Sequence, residues 1–226
     1  CVGIAVLGTI TSLLVRKVPA AQPDIKFTAD CMSVSQDVSK VLKQDHVLLG
    51  ALLVSSVFWL VSGLAVPTVN RLGLELLKAD ELQTSLLPAS IAFGIMPGAL
   101  VASFLCRKGW GDFSVSLGLW GILGSLIMLG LWSGGANHVI GFSGSIVALI
   151  CMGVFAAIFA IPIQVFLQDR PPAAIKGRMI ATMNQANFMG ILISGPLYQL
   201  FEAISTWANW PICSVFLMMG LLVLPL

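Results

Sequence analysis

The sequence predicts an all-α fold, a polytopic transmembrane helical bundle that forms the six-helix second half of a larger protein. Three observations predict it. The 226 residues are 58% hydrophobic and only 10% charged, with a mean hydropathy of +0.97. Uncharged apolar runs of about 20 residues, the length that crosses a bilayer, recur along the chain, and cations cluster in alternate connections. A water-soluble chain of this size could not hide so much apolar surface.

The first element, residues 1–15, is predicted to be the end of a truncated transmembrane helix. The chain starts at Cys1 within an apolar run rather than at a Met, and Arg16 and Lys17 follow that run. A secretory signal would carry its basic residues ahead of the apolar stretch. We therefore expect this sequence to be a fragment of a longer protein.

Residues 16–46 form a long polar stretch and are predicted to be a cytoplasmic interdomain linker. The stretch holds two prolines, four aspartates and five cations. Val34, Val38, Val41 and Leu42 make an amphipathic patch, which indicates a short helix lying on the membrane surface. The linker separates the truncated helix from six further spans.

The rest of the chain, residues 47–226, is predicted to be a six-helix transmembrane bundle. Its six apolar runs are residues 47–69, 86–106, 113–132, 139–167, 179–201 and 207–226. The first five contain no Asp, Glu, Lys or Arg. Because lipid cannot hydrogen-bond the backbone, each run must satisfy its own amides and carbonyls, which a helix does.

Charge in the connections predicts the orientation. Ten of the twelve Lys and Arg residues lie in residues 16–46, 107–112 and 168–178, and the other two lie in residues 70–85. Positively charged loops stay in the cytoplasm, so these three connections and the C-terminal end are expected there. Two adjacent prolines stop the helix that enters the third connection. That connection is therefore either a solvated hairpin or a latch between helix bundles.

Several classes of function are excluded at this stage. A net charge of +2 is too small to indicate nucleic-acid binding, and the five cysteines lack the spacing of a metal site. The predicted spans hold no ionisable side chain, so neither a buried proton relay nor the acid–base set of a membrane-embedded hydrolase is expected. We predict no enzyme activity, no catalytic residue, no metal and no cofactor for this segment.

Polar residues persist in the fifth span and form the first candidate site. Asn184, Asn187, Ile191 and Ser194 follow 3-4-3 spacing and therefore share one helix face. Asn187 lies about 12 Å past Met179, near the middle of a roughly 30 Å hydrocarbon core. An amide at that depth needs a partner. It either makes an interhelical hydrogen bond or belongs to a polar wall for a substrate head group.

Further candidates lie in neighbouring segments. Phe58 and Trp59 stand among the serines of the first full span, and Gln164 lies near the cytoplasmic end of the fourth. Arg178 begins the fifth span at the head-group level, where a guanidinium can meet a phosphate. The candidate substrate-binding residues are therefore Phe58, Trp59, Gln164, Asn184, Asn187 and Arg178.

Longer stretches carry a family resemblance. "SVFWLVSGLAVPTVNRLGLE" and "TSLLPASIAFGIMPGALVASFL" resemble the seventh and eighth helices of bacterial lysophospholipid transporters of the major facilitator superfamily. "IPIQVFLQDRPPAAIKGRMIATMNQANFMGILISG" is similar to their tenth and eleventh helices. Most of the likeness lies in Pro162, Gln164, Gly177, Arg178, Ala181 and Asn184. The superfamily's acidic loop signature is degenerate in "CRKGWGD", which keeps Arg107 and Lys108 but lacks the usual acid.

The resemblance implies the second six-helix half of a major facilitator superfamily fold in the bacterial cytoplasmic membrane. The implied activity is alternating-access movement of lysophospholipid, chiefly lysophosphatidylethanolamine, to the inner leaflet. The implied partners are the bilayer, this substrate, a missing N-terminal half and fused acyltransferase domains. Two alternatives stay open. Instead of a lysophospholipid transporter, the segment could be a generic drug or sugar carrier of the same fold, or a non-transporting membrane module of a fused acyltransferase.

Overall fold

The computed structural model describes residues 2–15, 34–133 and 137–226. It divides the chain into two compact units, Cys1–Val34 and Ser35–Leu226. In the first unit, α1 (Val2–Leu13) is an apolar helix whose hydroxyls turn back to its own backbone. Thr9 Oγ1, for example, donates to the carbonyl of Ala5 at 2.9 Å, which satisfies a polar group without a partner outside the helix. The predicted linker residues 16–33 lie outside the described residues.

The second unit is helical over most of its length. Its elements are α2 (Gln36–Gln44), α3 (His46–Arg71), a π-helix (Leu72–Leu76), α4 (Glu81–Arg107), α5 (Gly111–Gly130), β1 (Trp132–Ser133), β2 (Asn137–His138), α6 (Gly141–Asp169), a 3-10 helix (Ala173–Ile175), α7 (Lys176–Trp207) and α8 (Ser214–Val223). Two antiparallel residue pairs join β1 to β2. Within the described residues, five helices are long and apolar enough to cross a membrane, which confirms the predicted class of a helical transmembrane bundle.

Glycines set the closest helix contacts. Gly94 and Gly98 of α4 lie against the backbone of α6 near Ile150 and Val154, where an added Cβ would overlap main-chain atoms. Gly118 of α5 lies against Phe159 of α6 in the same way. Small residues allow this approach in lipid, where burial of apolar side chains supplies little drive for helix association.

Several spans are longer than the apolar runs predict. The helix predicted over 47–69 continues through Arg71 into the π-helix, where the amide of Leu77 donates to the carbonyl of Leu72. The next helix begins at Glu81, because Asp80 and Gln83 form a capping box there. Helical hydrogen bonding does not require apolar side chains, so charged residues at the membrane interface extend the spans by one or two turns.

The last predicted span is wrong in extent. Instead of 207–226, the helix α8 covers Ser214–Val223, about 15 Å at 1.5 Å per residue and about half of a hydrocarbon core. α7 ends at Trp207, and Asn209 adopts a left-handed backbone conformation with φ 55°. Pro211 follows and cannot donate a backbone hydrogen bond. The chain therefore turns before α8 starts.

The amphipathic patch near the linker forms the predicted short helix, but its apolar face is turned to the protein. Ser35 caps α2, with its Oγ accepting from the amide of Val38 at 3.4 Å. Val38 and Leu42 are buried in the apolar core, Val41 packs at its edge, and Val34 is exposed. The sequence predicts a helix that lies on the membrane, whereas in the structure α2 packs on the bundle.

Candidate functional site

An apolar cavity of about 390 Å³ lies inside the bundle of α3 to α8. Its walls come from α3, α4, α5, α6 and α8. Among the described residues that line it, Ser62 carries the one hydroxyl and no residue carries a charge. The Ser62 hydroxyl donates to the carbonyl of Phe58 in its own helix at 2.9 Å. The cavity therefore offers apolar contacts and very little hydrogen-bonding capacity.

Aromatic rings form one wall of the cavity. The ring centroids of Phe58 and Trp59 are 5.9 Å apart and nearly perpendicular. Phe58 also contacts Phe159 of α6, with 5.6 Å between centroids. Phe58 and Trp59 are the two predicted candidates that line the cavity. These ring contacts join α3 to α6 and make this wall of the cavity aromatic.

Three of the residues that line the cavity are exposed, Trp59 and Val66 of α3 and Ile95 of α4. Trp59 and Ile95 stand near the midpoints of their helical spans, His46–Leu76 and Glu81–Arg107. The exposed part of the cavity wall therefore belongs to α3 and α4 and includes mid-span positions.

Asn187 lies elsewhere, in a hydrogen-bonded contact between α3 and α7. Its Oδ1 accepts from Ser55 Oγ at 3.0 Å, and both side chains are buried. One residue along each helix, Ser56 Oγ donates to the carbonyl of Ala186 at 2.7 Å. We call these four residues the α3–α7 seam. The seam satisfies polar groups inside the membrane by joining two helices.

The predicted polar face of α7 is divided between two environments. Asn187 and Ser194 are buried, whereas Asn184 and Ile191 are exposed at the surface of the unit. At about 100° per residue, the two pairs are separated by about 60° around the helix axis. The edge of the α3–α7 contact runs through that gap, so one predicted site becomes a buried seam and an exposed strip.

The other two candidates lie towards the cytoplasmic end that the sequence predicts. Gln164 is half-buried on α6, two residues after the buried Pro162. Arg178 is exposed and its Nη1 donates to Asp37 Oδ2 of α2 at 2.6 Å. On the same connection, Arg170 Nε donates to Asp45 Oδ2 at 2.6 Å. The 168–178 connection is thus bound to α2 at two points.

The opposite end of α3 carries a charged contact that the sequence does not predict. Arg71 pairs with Glu75 in the π-helix and with Glu202 of α7. This contact joins the far ends of α3 and α7, as the seam joins their middles. Arg71 and Glu75 are four residues apart, a spacing at which side chains of one helix meet, whereas nothing in the sequence indicates that Arg71 pairs with Glu202.

Most of the cavity wall was also missed. Leu119 and Ile122 of α5, Phe159 of α6 and Met219 of α8 line the cavity, and none of them belongs to the predicted set. Apolar residues in an apolar span have no signature in a single sequence, since lipid-facing and cavity-facing positions have the same composition. A polar residue draws attention, and this cavity has almost none.

Comparison with known proteins gives one match. A family model described as Major Facilitator Superfamily matches residues 1–195, from α1 into α7. No curated protein and no solved structure matches the chain. The matched region includes the α3–α7 seam and every wall of the cavity except the one from α8.

Proposed function

The chain belongs to the major facilitator superfamily, and we propose that it is part of a carrier that moves lysophospholipid across a membrane. Whatever the cargo is, membership of this superfamily and the five apolar spans found in the described residues make the chain part of a multi-pass membrane transporter. The proposal adds the bacterial cytoplasmic membrane, with the cationic connections on the cytoplasmic side. A first half-bundle would supply the remaining walls of the pathway.

The apolar cavity is the observation that supports this cargo. A sugar must exchange its hydrogen bonds with water for hydrogen bonds with protein, or it loses several kcal/mol on entry. The cavity offers one hydroxyl, which already donates to its own helix. An acyl chain needs only apolar contacts. A substrate with a single chain and a polar head therefore fits better than a sugar.

The position of the exposed cavity residues also favours a lipid. Trp59 and Ile95 line the cavity, are exposed and stand near the midpoints of their helical spans, the depth at which acyl chains lie in a bilayer. A polar head cannot follow the chain into this cavity without losing its hydrogen bonds. We propose that the head group is held outside it, with Gln164, Asn184 and Arg178 as candidates. Phe58 and Trp59 are the candidates for contact with the chain.

The test is uptake of labelled lysophosphatidylethanolamine by spheroplasts that contain the full-length protein, with a series of acyl-chain lengths. Each buried methylene contributes about 0.8 kcal/mol, which corresponds to about a fourfold gain in apparent affinity. We expect that gain with each added carbon until the cavity is full, and a plateau beyond. Uptake of a sugar or a lipophilic cation in the absence of lysophospholipid uptake would contradict the cargo.

A pair of variants links uptake to the cavity. Ala160 lines the cavity on α6, so Ala160→Phe should fill it and shift the preference towards shorter chains. Val147 lies on an exposed face of the same helix, and Val147→Phe adds a ring without entering the cavity. Equal chain-length profiles for the two variants would show that the chain binds elsewhere.

A further inference from the structure

α2 is held on the bundle at both of its ends. Asp37, in its first turn, pairs with Arg178, and Asp45, directly after its last turn, pairs with Arg170. Asp45 also caps α3, with its Oδ1 accepting from the amide of Leu48 at 3.1 Å. Asp45 is the single residue between α2 and α3. Asp45 is therefore a hinge between α2 and α3 whose own position is held by Arg170 and by the amide of Leu48. Asp37 lies at the other end of α2.

The ion pair between Asp37 and Arg178, at the first turn of α2, is weak. The Arg178 and Asp37 side chains are 53% and 57% exposed, and an ion pair with that much solvent changes an equilibrium by only about two- to fivefold. Beneath it, the apolar residues that α2 buries are Val38 and Leu42. A nine-residue helix has little stability of its own. The ion pair therefore adds little, and docking of α2 rests mainly on the burial of Val38 and Leu42.

A second location is available to the same helix. Lys40 and Lys43 are exposed while Val38 and Leu42 form the opposite, apolar face. A helix with cations on one face and aliphatic residues on the other binds at the surface of anionic membranes. Arg178 is in the first turn of α7, a helix long and apolar enough to cross a membrane, and in a bilayer this position would lie at the level of the lipid phosphates. A phosphate is at least as good a partner for a guanidinium as a carboxylate is.

We propose that α2 is a releasable clamp, in which anionic phospholipid head groups displace Asp37 from Arg178 and α2 swings about Asp45 onto the membrane surface. In the clamped position α2 ties the start of α3 to the start of α7. In the released position Val38 and Leu42 exchange protein contacts for the acyl boundary, and the start of α7 is no longer tied to α2. Arg178 is also a candidate contact for the cargo, but the clamp can be measured without cargo, so its failure is distinguishable from failure of lysophospholipid transport.

The test is a distance measurement by pulsed electron paramagnetic resonance on the full-length protein in lipid nanodiscs. Spin labels at Gln36→Cys and Ala174→Cys, both exposed positions, report the separation of α2 from the hairpin, with other accessible cysteines replaced. In phosphatidylcholine discs we expect a short distance. Replacing part of that lipid with phosphatidylglycerol should add a longer one. An unchanged distribution would overturn the proposal.

Variants separate the clamp from general charge effects. Asp37→Asn should raise the ratio of long to short distances by about two- to fivefold in phosphatidylcholine alone. The charge exchange Asp37→Arg with Arg178→Asp should restore the short distance. Lys176→Gln is the matched control, because Lys176 pairs with Asp169 at 3.6 Å and not with α2. An equal shift for Lys176→Gln and Asp37→Asn would overturn the proposal.

A third label position identifies where the helix goes. A spin label at Val41→Cys, at the edge of the apolar face of α2, should become accessible to a lipid-soluble relaxation agent when phosphatidylglycerol is added. Release into water, with the label accessible to a water-soluble agent instead, would contradict the membrane-bound position.

Discussion

Ser55 of α3 donates a hydrogen bond to Asn187 of α7 across 3.0 Å, and both side chains are buried. Beside them, Gly190 packs against the carbonyl of Ser56 so closely that a Cβ would overlap it. The polar contact and the close approach support each other, because a short helix separation is needed for a short side chain such as serine to reach across. The seam is therefore a structural joint between the first and fifth spans.

Asn187→Ala should destabilise the protein. The variant removes the acceptor of a buried serine, and interhelical hydrogen bonds of this kind contribute about 0.6 to 2 kcal/mol in membrane proteins. Thermal unfolding of the purified protein in detergent would measure the loss. Asn184→Ala is the control, since Asn184 is an exposed amide one turn away.

A double-mutant cycle with Ser55→Ala would isolate the pair. If the hydrogen bond carries the effect, adding Ser55→Ala to Asn187→Ala should cost little more. A normal unfolding temperature together with lost uptake would instead assign Asn187 to substrate contact.

Gly94→Ala should be more damaging than its size suggests. An added Cβ at Gly94 would overlap the carbonyl of Ile150, so α4 and α6 must separate. Overpacking of this kind costs about 1–3 kcal/mol. Gly124→Ala is the matched control, because nothing lies within 4 Å of an added Cβ there. Unfolding temperatures that fall equally for both variants would argue against close packing of α4 on α6.

The spans could be predicted because a bilayer requires apolar side chains along the whole length of a spanning helix, and this requirement is visible in a single sequence. The partners of each helix could not be predicted in the same way. Asn184, Asn187, Ile191 and Ser194 share a face, but where burial divides that face depends on how α3 lies against it. Likewise, Arg178 is 141 positions from Asp37, and only the folded chain brings them together.

The cavity marks a second limit of sequence reasoning. Phe58 and Trp59 could be identified because aromatic residues inside a span are conspicuous, whereas Leu119, Ile122 and Met219 look like any lipid-facing residue. The short α8 has a different cause. The apolar run of residues 207–226 is long enough to cross a bilayer, but its first residues form a turn that contains the left-handed Asn209 and Pro211, so the helix begins only at Ser214.

Labels in two connections should react from opposite sides of the membrane. The excess of cations in residues 107–112 and 168–178 predicts that these connections are cytoplasmic, and the strand pair β1–β2 lies one span away from each. In intact cells, an impermeant maleimide should modify Ser133→Cys and leave Ala174→Cys unmodified until the membrane is permeabilised. Equal reactivity of both positions in intact cells would contradict the predicted orientation.

Acid should weaken the contact at the hinge of α2. The hydrogen bond from Arg170, together with the amide of Leu48, lowers the pKa of Asp45 below its ordinary value. A lowered pKa means that the folded state favours the carboxylate. The stabilisation is therefore present above the ordinary pKa of about 3.9 and is lost as the pH falls through the lowered value. Neutral and mildly acidic conditions should leave the contact intact.

The measurement is the unfolding temperature of the wild type and of Asp45→Asn between about pH 2 and pH 7, a range that extends well below the ordinary carboxyl pKa of about 3.9. Asparagine retains the capping oxygen for α3 and removes the charge that Arg170 meets, so the comparison isolates the ion pair. The wild type should unfold at the higher temperature near neutral pH, and the two should converge only at the acidic end. Arg170→Gln should remove the same pH-dependent difference. A gap that persists unchanged to the lowest pH would show that the Asp45 carboxylate does not stabilise the fold through Arg170.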